Sequence, residues 1–427
     1  MSVKPTNIPK CHLRQSADSA GNFSRHGKLG EFTENIRTFA LPFEPKPYTF
    51  RMKYKYDSFN RMQQMTYPDG EVVSYGYNLG GMLDSIGGQK GSFSHPYIKH
   101  IAYNQYELKD SVLYGNGTLA TYEWDHAGNM TMHRLHDECT RRLCWDEENR
   151  LLGVSDKKYL SYYQYDANED RIYKLTGEFA RQNRNGEWRY YYYLKRPTLY
   201  ASPYLVTNPK GYTKHYYAEN ERIASRMGGG GLYDIDRNDN PEMFVTHKEH
   251  SIQLFVEVME CLETQAEAQE SPLKFLYEWK DIREEEKECY WYHPDHLGSS
   301  SWITFSDGKA VEHLHYMPWG EDFVRQRSTD WHAMYTFSAK EKDAETGYTY
   351  FGSRYYSSDL SIWLSVDPMS DSLPYMTPFN YCKNSPILMK DPNGEFPWLV
   401  VWGLVEAGLA VYDAYQTGTT IVTLMQV

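Results

Sequence analysis

From residue 54 onward, apolar and polar positions alternate with a period of two over short runs, and the runs themselves recur. The units read YKYDSFNRMQQMTYPDG, YGYNLGGMLDSIGG, YEWDHAGNMTMHRL, LCWDEENRLLGVSD and YQYDANEDRIYKLTG. Aligned on the aromatic before Asp or Asn, the anchors are Tyr56, Tyr77, Trp124, Trp145 and Tyr165, spaced 21, 47, 21 and 20 residues apart. A weaker copy around Tyr103 falls in the long gap. Alternation puts the rings on one face of a strand. The Asp, Asn and Gly residues that follow bond their own backbone or accept left-handed φ, which makes a turn. An outgoing strand comes next, so each period is one β-hairpin. A lone hairpin buries too little to be stable, and the pattern therefore predicts hairpins stacked edge to edge in a continuous sheet.

Elsewhere the pattern changes. Residues 1–48 lack clear periodicity and read as an irregular lead-in, either loose or a degraded strand pair. The repeat sheet is expected over 49–227, with aromatic-rich strands at 189–194 and 214–218 joined by a turn at 208–211. Glycines at 228–231 break it. Over 244–262 the period becomes helical, with Ile252, Phe255, Met259 and Leu262 spaced 3, 4 and 3 apart. Glu257, Glu260, Glu263 and Glu267 lie mostly off that stripe. Residues 228–288 are read as an acidic insertion carrying a helix on the outside of the sheet, its charged face solvated. Aromatic strands return over 289–395, where the run 348–356 reads as strand core. The last 32 residues, 396–427, are an apolar tail with one charge, Glu406, between 397 and 412. Pro397 suits a first helical turn, and a short helical tail is expected. Sixteen residues interrupted by a charge are short for a bilayer span, and 32 are too few for an ordinary catalytic domain.

Composition narrows the classes. There are 39 Tyr, 17 Phe and 11 Trp in 427 residues, as half-buried pleated surfaces favour. A formal charge of −12 argues against a nucleic-acid-binding body. Much of it is local: residues 256–288 hold 11 acidic and 4 basic side chains. Cys11, Cys139, Cys144, Cys261, Cys289 and Cys382 form no C-x-x-C pair, and are read as free thiols from a reducing compartment of synthesis. Residues 1–45 show no signal peptide, and the abrupt start suggests missing upstream sequence.

Three constellations could carry chemistry. His293, Asp295 and His296 offer two imidazoles and a carboxylate, but three ligands from one tight turn rarely converge on one ion, and the expectation is a structural turn with His296 packed. Pro318-Trp319-Gly320-Glu321 is a corner with Glu321 as turn acceptor. The third comprises Asp367-Pro368, Asp391-Pro392 and a lone Arg354 thirteen residues before the first pair. Spacing alone reads Asp391-Pro392-Asn393-Gly394 as a turn.

The hairpins resemble the YD repeats of the RHS/YD family. Residues 292–394 resemble that family's RHS repeat-associated core domain in DHLGS, the P-x-G-E corner, the ETGYTYFGSRYY run and the two Asp-Pro pairs. The resemblance covers roughly residues 54–395. It implies an all-β fold of stacked hairpins curling into a shell, closed by a core domain at 289–395, within a longer polymorphic toxin. It also implies that Asp367, Asp391 and Arg354 form an intramolecular aspartic-type protease, needing no metal or cofactor, that cuts between Glu395 and Phe396. Two carboxylates close together in a dry interior cannot both ionise, which suits acid and base roles. Two positions depart from the family pattern: Met369-Ser370 follows the first pair where Gly is frequent, and Glu395 stands where Leu is usual, so that a charged side chain must be desolvated there. The implied partners are the chain's own C-terminal segment as cargo, an upstream part of the shell, secretion machinery and an immunity protein, with no nucleic acid. The implied setting is secretion or delivery at the cell surface. Two alternatives stand beside this: a cell-surface carbohydrate-binding protein using exposed tyrosines, and a decayed fragment without activity.

Overall fold

The polar residue after each anchor aromatic closes its hairpin. Asp57, Asn78, Asp125 and Asp146 each accept the backbone amide four residues on, at 2.8–2.9 Å. The anchor itself also has a bonding role. Tyr77 donates its hydroxyl to the Met62 carbonyl, Tyr103 to Leu83 and Tyr165 to Leu151, and Trp145 donates its indole N–H to Met130, all at 2.7 Å. Each bond reaches the first strand residue of an earlier hairpin arm. A phenylalanine could fill the same space but could not donate, which explains why these anchors are Tyr or Trp.

The computed structural model describes residues 23–25, 33–39, 46, 48–59, 61–135, 139–156, 158–208, 211–218, 221–229, 241–267, 288–372, 376–395 and 398–399. The chain forms two compact units, Met1–Tyr122 and Glu123–Val427. In the first, strands from Tyr48–Tyr56 to Lys109–Tyr114 pair antiparallel in sequence order. Val73, Ile101, Val112 and Ala120 are buried there. In the second, strands from Met130–Leu135 to Glu221–Gly228 continue the same order. Glu288–Pro294 then pairs with Glu221–Gly228, so the ladder resumes across the insertion as if it were absent. Three further strands, Ser300–Phe305, Ala310–Tyr316 and Asp322–Arg327, extend the ladder. The chain is all-β apart from one α-helix among the described residues.

A small four-stranded sheet follows, made of Glu341–Lys342, Thr349–Tyr350, Tyr355–Ser357 and Ile362–Trp363. Phe337, Phe351, Tyr356, Trp363, Tyr381 and Cys382 form its core. The expected strand core at 348–356 is thus buried at Tyr348, Phe351, Tyr355 and Tyr356. Of the tail expected to be helical, only Trp398–Leu399 are described, and they form a strand on Met389–Lys390.

The insertion corrects two expectations. Its helix, Pro241–Cys261, is not a solvated excursion: Val258, Met259 and the following Leu262 are buried against Leu160, Tyr162, Leu175 and Tyr192. The buried face runs Leu254, Phe255, Val258, Met259, Leu262, and Ile252 is exposed. The stripe read from sequence was therefore rotated at its start. Second, Cys144 and Cys261 are not free thiols but form a disulfide, with their Cα atoms 6.0 Å apart. It ties the helix end to the strand Cys139–Trp145. Cys289 and Cys382 are free and buried.

A fully buried ionic cluster fastens the small sheet to the repeat strands. Arg171 pairs with Glu341 at 2.8 Å and with Asp343 at 3.1 Å, and Lys174 pairs with Asp343 at 2.8 Å. Tyr163 donates to Asp343, Tyr200 donates to Glu341, and Arg171 donates to the Tyr355 hydroxyl. Burial alone would raise the Asp343 carboxyl, but Arg171 and Lys174 outweigh it and hold it below its ordinary value.

His215 is buried beside Ser225, its Nδ1 2.8 Å from the hydroxyl, and its ring meets Tyr335 edge-on. Burial, helped by Arg222, lowers its pKa to about 3. The unfolded chain then binds a proton that the folded chain refuses, so stability from this group is present above pH 6.5 and is lost as pH falls toward 3. His215→Gln should remove that slope. Comparing urea midpoints of parent and variant at pH 7 and pH 4 should show a differential on the order of 3 kcal/mol; parallel shifts would refute it.

Candidate active site

Arg354 precedes the strand Tyr355–Ser357, and the turn before it is tight: Phe351 N–H donates to the Arg354 carbonyl at 3.0 Å. The side chain is 2 % exposed and its guanidinium lies 4.2 Å from the centre of the Trp363 ring. From there it reaches both Asp-Pro segments. Its Nη2 is 2.8 Å from Asp367 Oδ2 and 3.7 Å from Asp391 Oδ2. Its Nε donates to the Gly394 carbonyl, and its Nη1 donates to the Pro378 carbonyl at 3.0 Å. One guanidinium therefore meets both carboxylates and the backbone one residue before Glu395.

The two aspartates are held differently. Asp367 Oδ1 accepts the Met369 amide at 2.8 Å, so Met369, which departs from the family pattern, still closes the turn through its backbone. Asp391 Oδ1 accepts the amides of Gly394 at 2.7 Å and Asn393 at 3.3 Å. This is the turn that the spacing suggests, and it leaves Oδ2 facing Arg354. Gly394 has φ +85° and a Cβ there would come within 3.1 Å of the Arg354 amide, so glycine fits the close approach. Burial raises the Asp391 carboxyl above its ordinary value, against the opposing Gly394 bond and Arg354 charge. Burial also lowers the Arg354 pKa, while Asp367 and Asp391 resist. The result is an asymmetric pair: Asp367 lies close against Arg354 at 2.8 Å, while Asp391 stands farther off at 3.7 Å with its carboxyl raised by burial.

Glu395 is not desolvated in an apolar slot, as the substitution for Leu suggested. It is half-buried, and its carboxylate accepts Ser353 Oγ at 2.9 Å and Asn393 Nδ2 at 2.8 Å. Ser353 N–H also donates to the Asn393 carbonyl at 3.0 Å. Ser353 was not singled out from the sequence, since a serine between Gly and Arg carries no signal of its own. Phe396 lies outside the described residues.

The other candidates separate. Asp295 Oδ1 accepts the amides of Leu297 and Ser299, both at 2.9 Å. His293 Nε2 pairs with the Thr304 hydroxyl and His296 Nε2 with the Ile387 carbonyl, each at 3.0 Å. The rings are thus used singly, and His296 is exposed rather than packed. Among the described residues no group of three potential ligands assembles. At the corner, the Glu321 backbone carbonyl accepts Met317 N–H at 2.8 Å.

No family model matches the chain. It is 34% identical over 132 residues to the tRNA(Glu)-specific nuclease WapA of Bacillus subtilis subsp. natto, covering 30% of this chain and 5% of that protein. It is also 34% identical over 104 residues to toxin subunit YenC1 of Yersinia entomophaga, covering 24% of this chain and 10% of that protein. The chain thus spans a small fraction of the curated relatives it matches. Among solved structures, the TcdB2-TccC3-Cdc42 crystal structure aligns with 85% of this chain and 23% of its own, at 13% identity and a TM-score of 0.30. In its recurring Tyr-Asp hairpins and its closing core segment, and over the 24–30% of its length that these toxin relatives cover, the chain is similar to RHS-repeat proteins.

Proposed function

We propose that the chain is the closing part of an RHS-type shell that holds a C-terminal polypeptide and cuts it free between Glu395 and Phe396. The observation that carries this is Arg354, which contacts Asp367, Asp391 and the Gly394 carbonyl at once. Asp367, paired with Arg354, takes a proton from water as the oxygen attacks the Glu395 carbonyl carbon. Asp391, poised by burial to keep its proton, gives it to the Phe396 nitrogen as the C–N bond breaks. The products are a carboxylic acid at Glu395 and an amine at Phe396, with Asp367 left protonated and Asp391 ionised, so atoms and charges balance. A cavity of about 20 Å³ beside Asp367, bordered by Ser370, Thr377, Asn380 and Lys383, has room and polar partners for one water.

The cargo is the tail from residue 396, the upstream partner is a further part of the shell, and export machinery and an immunity protein complete the system. The Cys144–Cys261 disulfide suits an oxidising destination. Burial of Tyr122, Tyr162, Tyr163 and Tyr192 favours wall-building over sugar-stacking for the repeat rings. Intact mass spectrometry of the expressed chain tests the proposal. Products of residues 1–395 and 396–427 are expected from the parent and neither from Asp367→Asn or Asp391→Asn. Full-length mass in all three forms would remove the protease.

A further inference from the structure

The strand Trp398–Leu399 lies on the far side of the cutting point from everything that grips Glu395, yet it is tied back to the near side. It pairs antiparallel with Met389–Lys390, Lys390 opposite Trp398 and Met389 opposite Leu399. The stretch of sequence between the two strands, 391–397, begins with the Asp391 turn and contains the bond to be cut. Upstream of that bond the chain is pinned by Arg354 Nε on the Gly394 carbonyl, Ser353 N–H on the Asn393 carbonyl and Ser353 Oγ on the Glu395 carboxylate. Downstream, the described anchor is the two-residue ladder. Hydrolysis by two fixed carboxylates needs the carbonyl carbon and the leaving nitrogen both held in place, and a misplacement of about 1 Å can cost on the order of 100-fold in rate.

We infer that this ladder is the second half of the substrate clamp. Trp398 and Leu399 are positioning residues, selected by extended backbone and free amides at the third and fourth places after the cut. The inference rests on the reading of Arg354, Asp367 and Asp391 as a protease, and adds a requirement on the cargo: its first residues must accept strand pairing. A cargo with proline at these places would be made, enclosed and left attached. The ladder also connects to the site through the chain itself, because Lys390 directly precedes Asp391. Loss of pairing would therefore loosen the Asp391 turn as well as the departing segment.

The test uses the full chain. Trp398→Pro and Leu399→Pro each remove an amide and disfavour the pairing of the preceding residue. Self-cutting is followed by pulse labelling in a cell-free translation mixture. A slowing of about 100-fold is expected in both, while Thr423→Pro, far along the tail, should cut at the parent rate. Amide hydrogen exchange on the Asp367→Asn chain gives a readout independent of cutting: the ladder predicts slow exchange at residues 390 and 398, lost in the proline variants, whereas the Met389 amide is bonded to the Ser385 carbonyl whether or not the ladder forms. Proline variants that keep pace with a cutting parent, or unprotected amides in the Asp367→Asn chain, overturn the clamp and leave the protease standing. A parent that stays whole overturns the protease reading and this inference with it.

Discussion

Substituting lysine for Arg354 is expected to slow cutting at 395–396 by about 100- to 1,000-fold, the range seen when a single preorganised donor at a reacting centre is lost. The charge survives in this variant, so Asp367 keeps a nearby cation and the fold is spared the cost of an orphaned buried carboxylate. What disappears is the fork. Arginine serves Asp367 and Asp391 through Nη2, Pro378 through Nη1 and Gly394 through Nε, all from one planar group. An ammonium on a flexible stem cannot reproduce that spread. Pulse-chase cutting rates with urea midpoints measured on the same proteins separate the effects. A rate within about threefold of the parent, with the fold intact, would show that positive charge alone suffices and that the fork has no part in orienting the bond.

The second large effect concerns the fold. Asp343→Asn should destabilise the unit 123–427 by about 3–5 kcal/mol, because Arg171 and Lys174 would be left with Glu341 and, at 3.7 Å from Lys174, Glu345 in a site where Arg171, Lys174 and Glu341 are at most 5 % exposed. The side chain is 0 % exposed, so solvent cannot compensate. The sign with pH also follows. A carboxyl held below its ordinary value of 3.8 contributes fully above that value and loses its contribution as pH falls through the lowered one. The gap between parent and variant should therefore be constant from neutral pH down to about pH 4 and narrow only in stronger acid. Urea midpoints at pH 7, 5 and 3 check both size and shape; a destabilisation under about 1 kcal/mol at pH 7 would mean that the cluster is more hydrated than its burial indicates.

Much of the architecture was legible because it is local. Asp57, Asn78, Asp125 and Asp146 cap turns within four residues of themselves, and period-two alternation marks the strands on either side. The grouping of Arg354 with the two Asp-Pro segments came from a family pattern rather than from spacing. The misses share a cause. Cys144 and Cys261 are 117 residues apart, and no local spacing joins them. The helix carries apolar residues on more than one side, so Ile252 and Val256 competed with Leu254 and Val258 for the inward face, and only the sheet beneath decides. Glu341 and Asp343 sit in a Lys-Glu-Lys-Asp run that carries no local sign of burial. Their partners, Arg171 and Lys174, stand about 170 positions earlier.

Those long separations bear on timing during synthesis. The bonds from Arg171 to Asp343 and Tyr355 close loops of 172 and 184 residues. Pairings so distant in sequence form late, since the entropy of closing the loop must be met before the contact returns anything. The strand that begins just after Arg354 rests on such a contact through Tyr355. On the proposed reading, a ribosome would have released the chain past residue 391 before Arg354 and the two aspartates could assemble, so the order of emergence from the exit tunnel would itself hold back any cut until the repeat strands have folded.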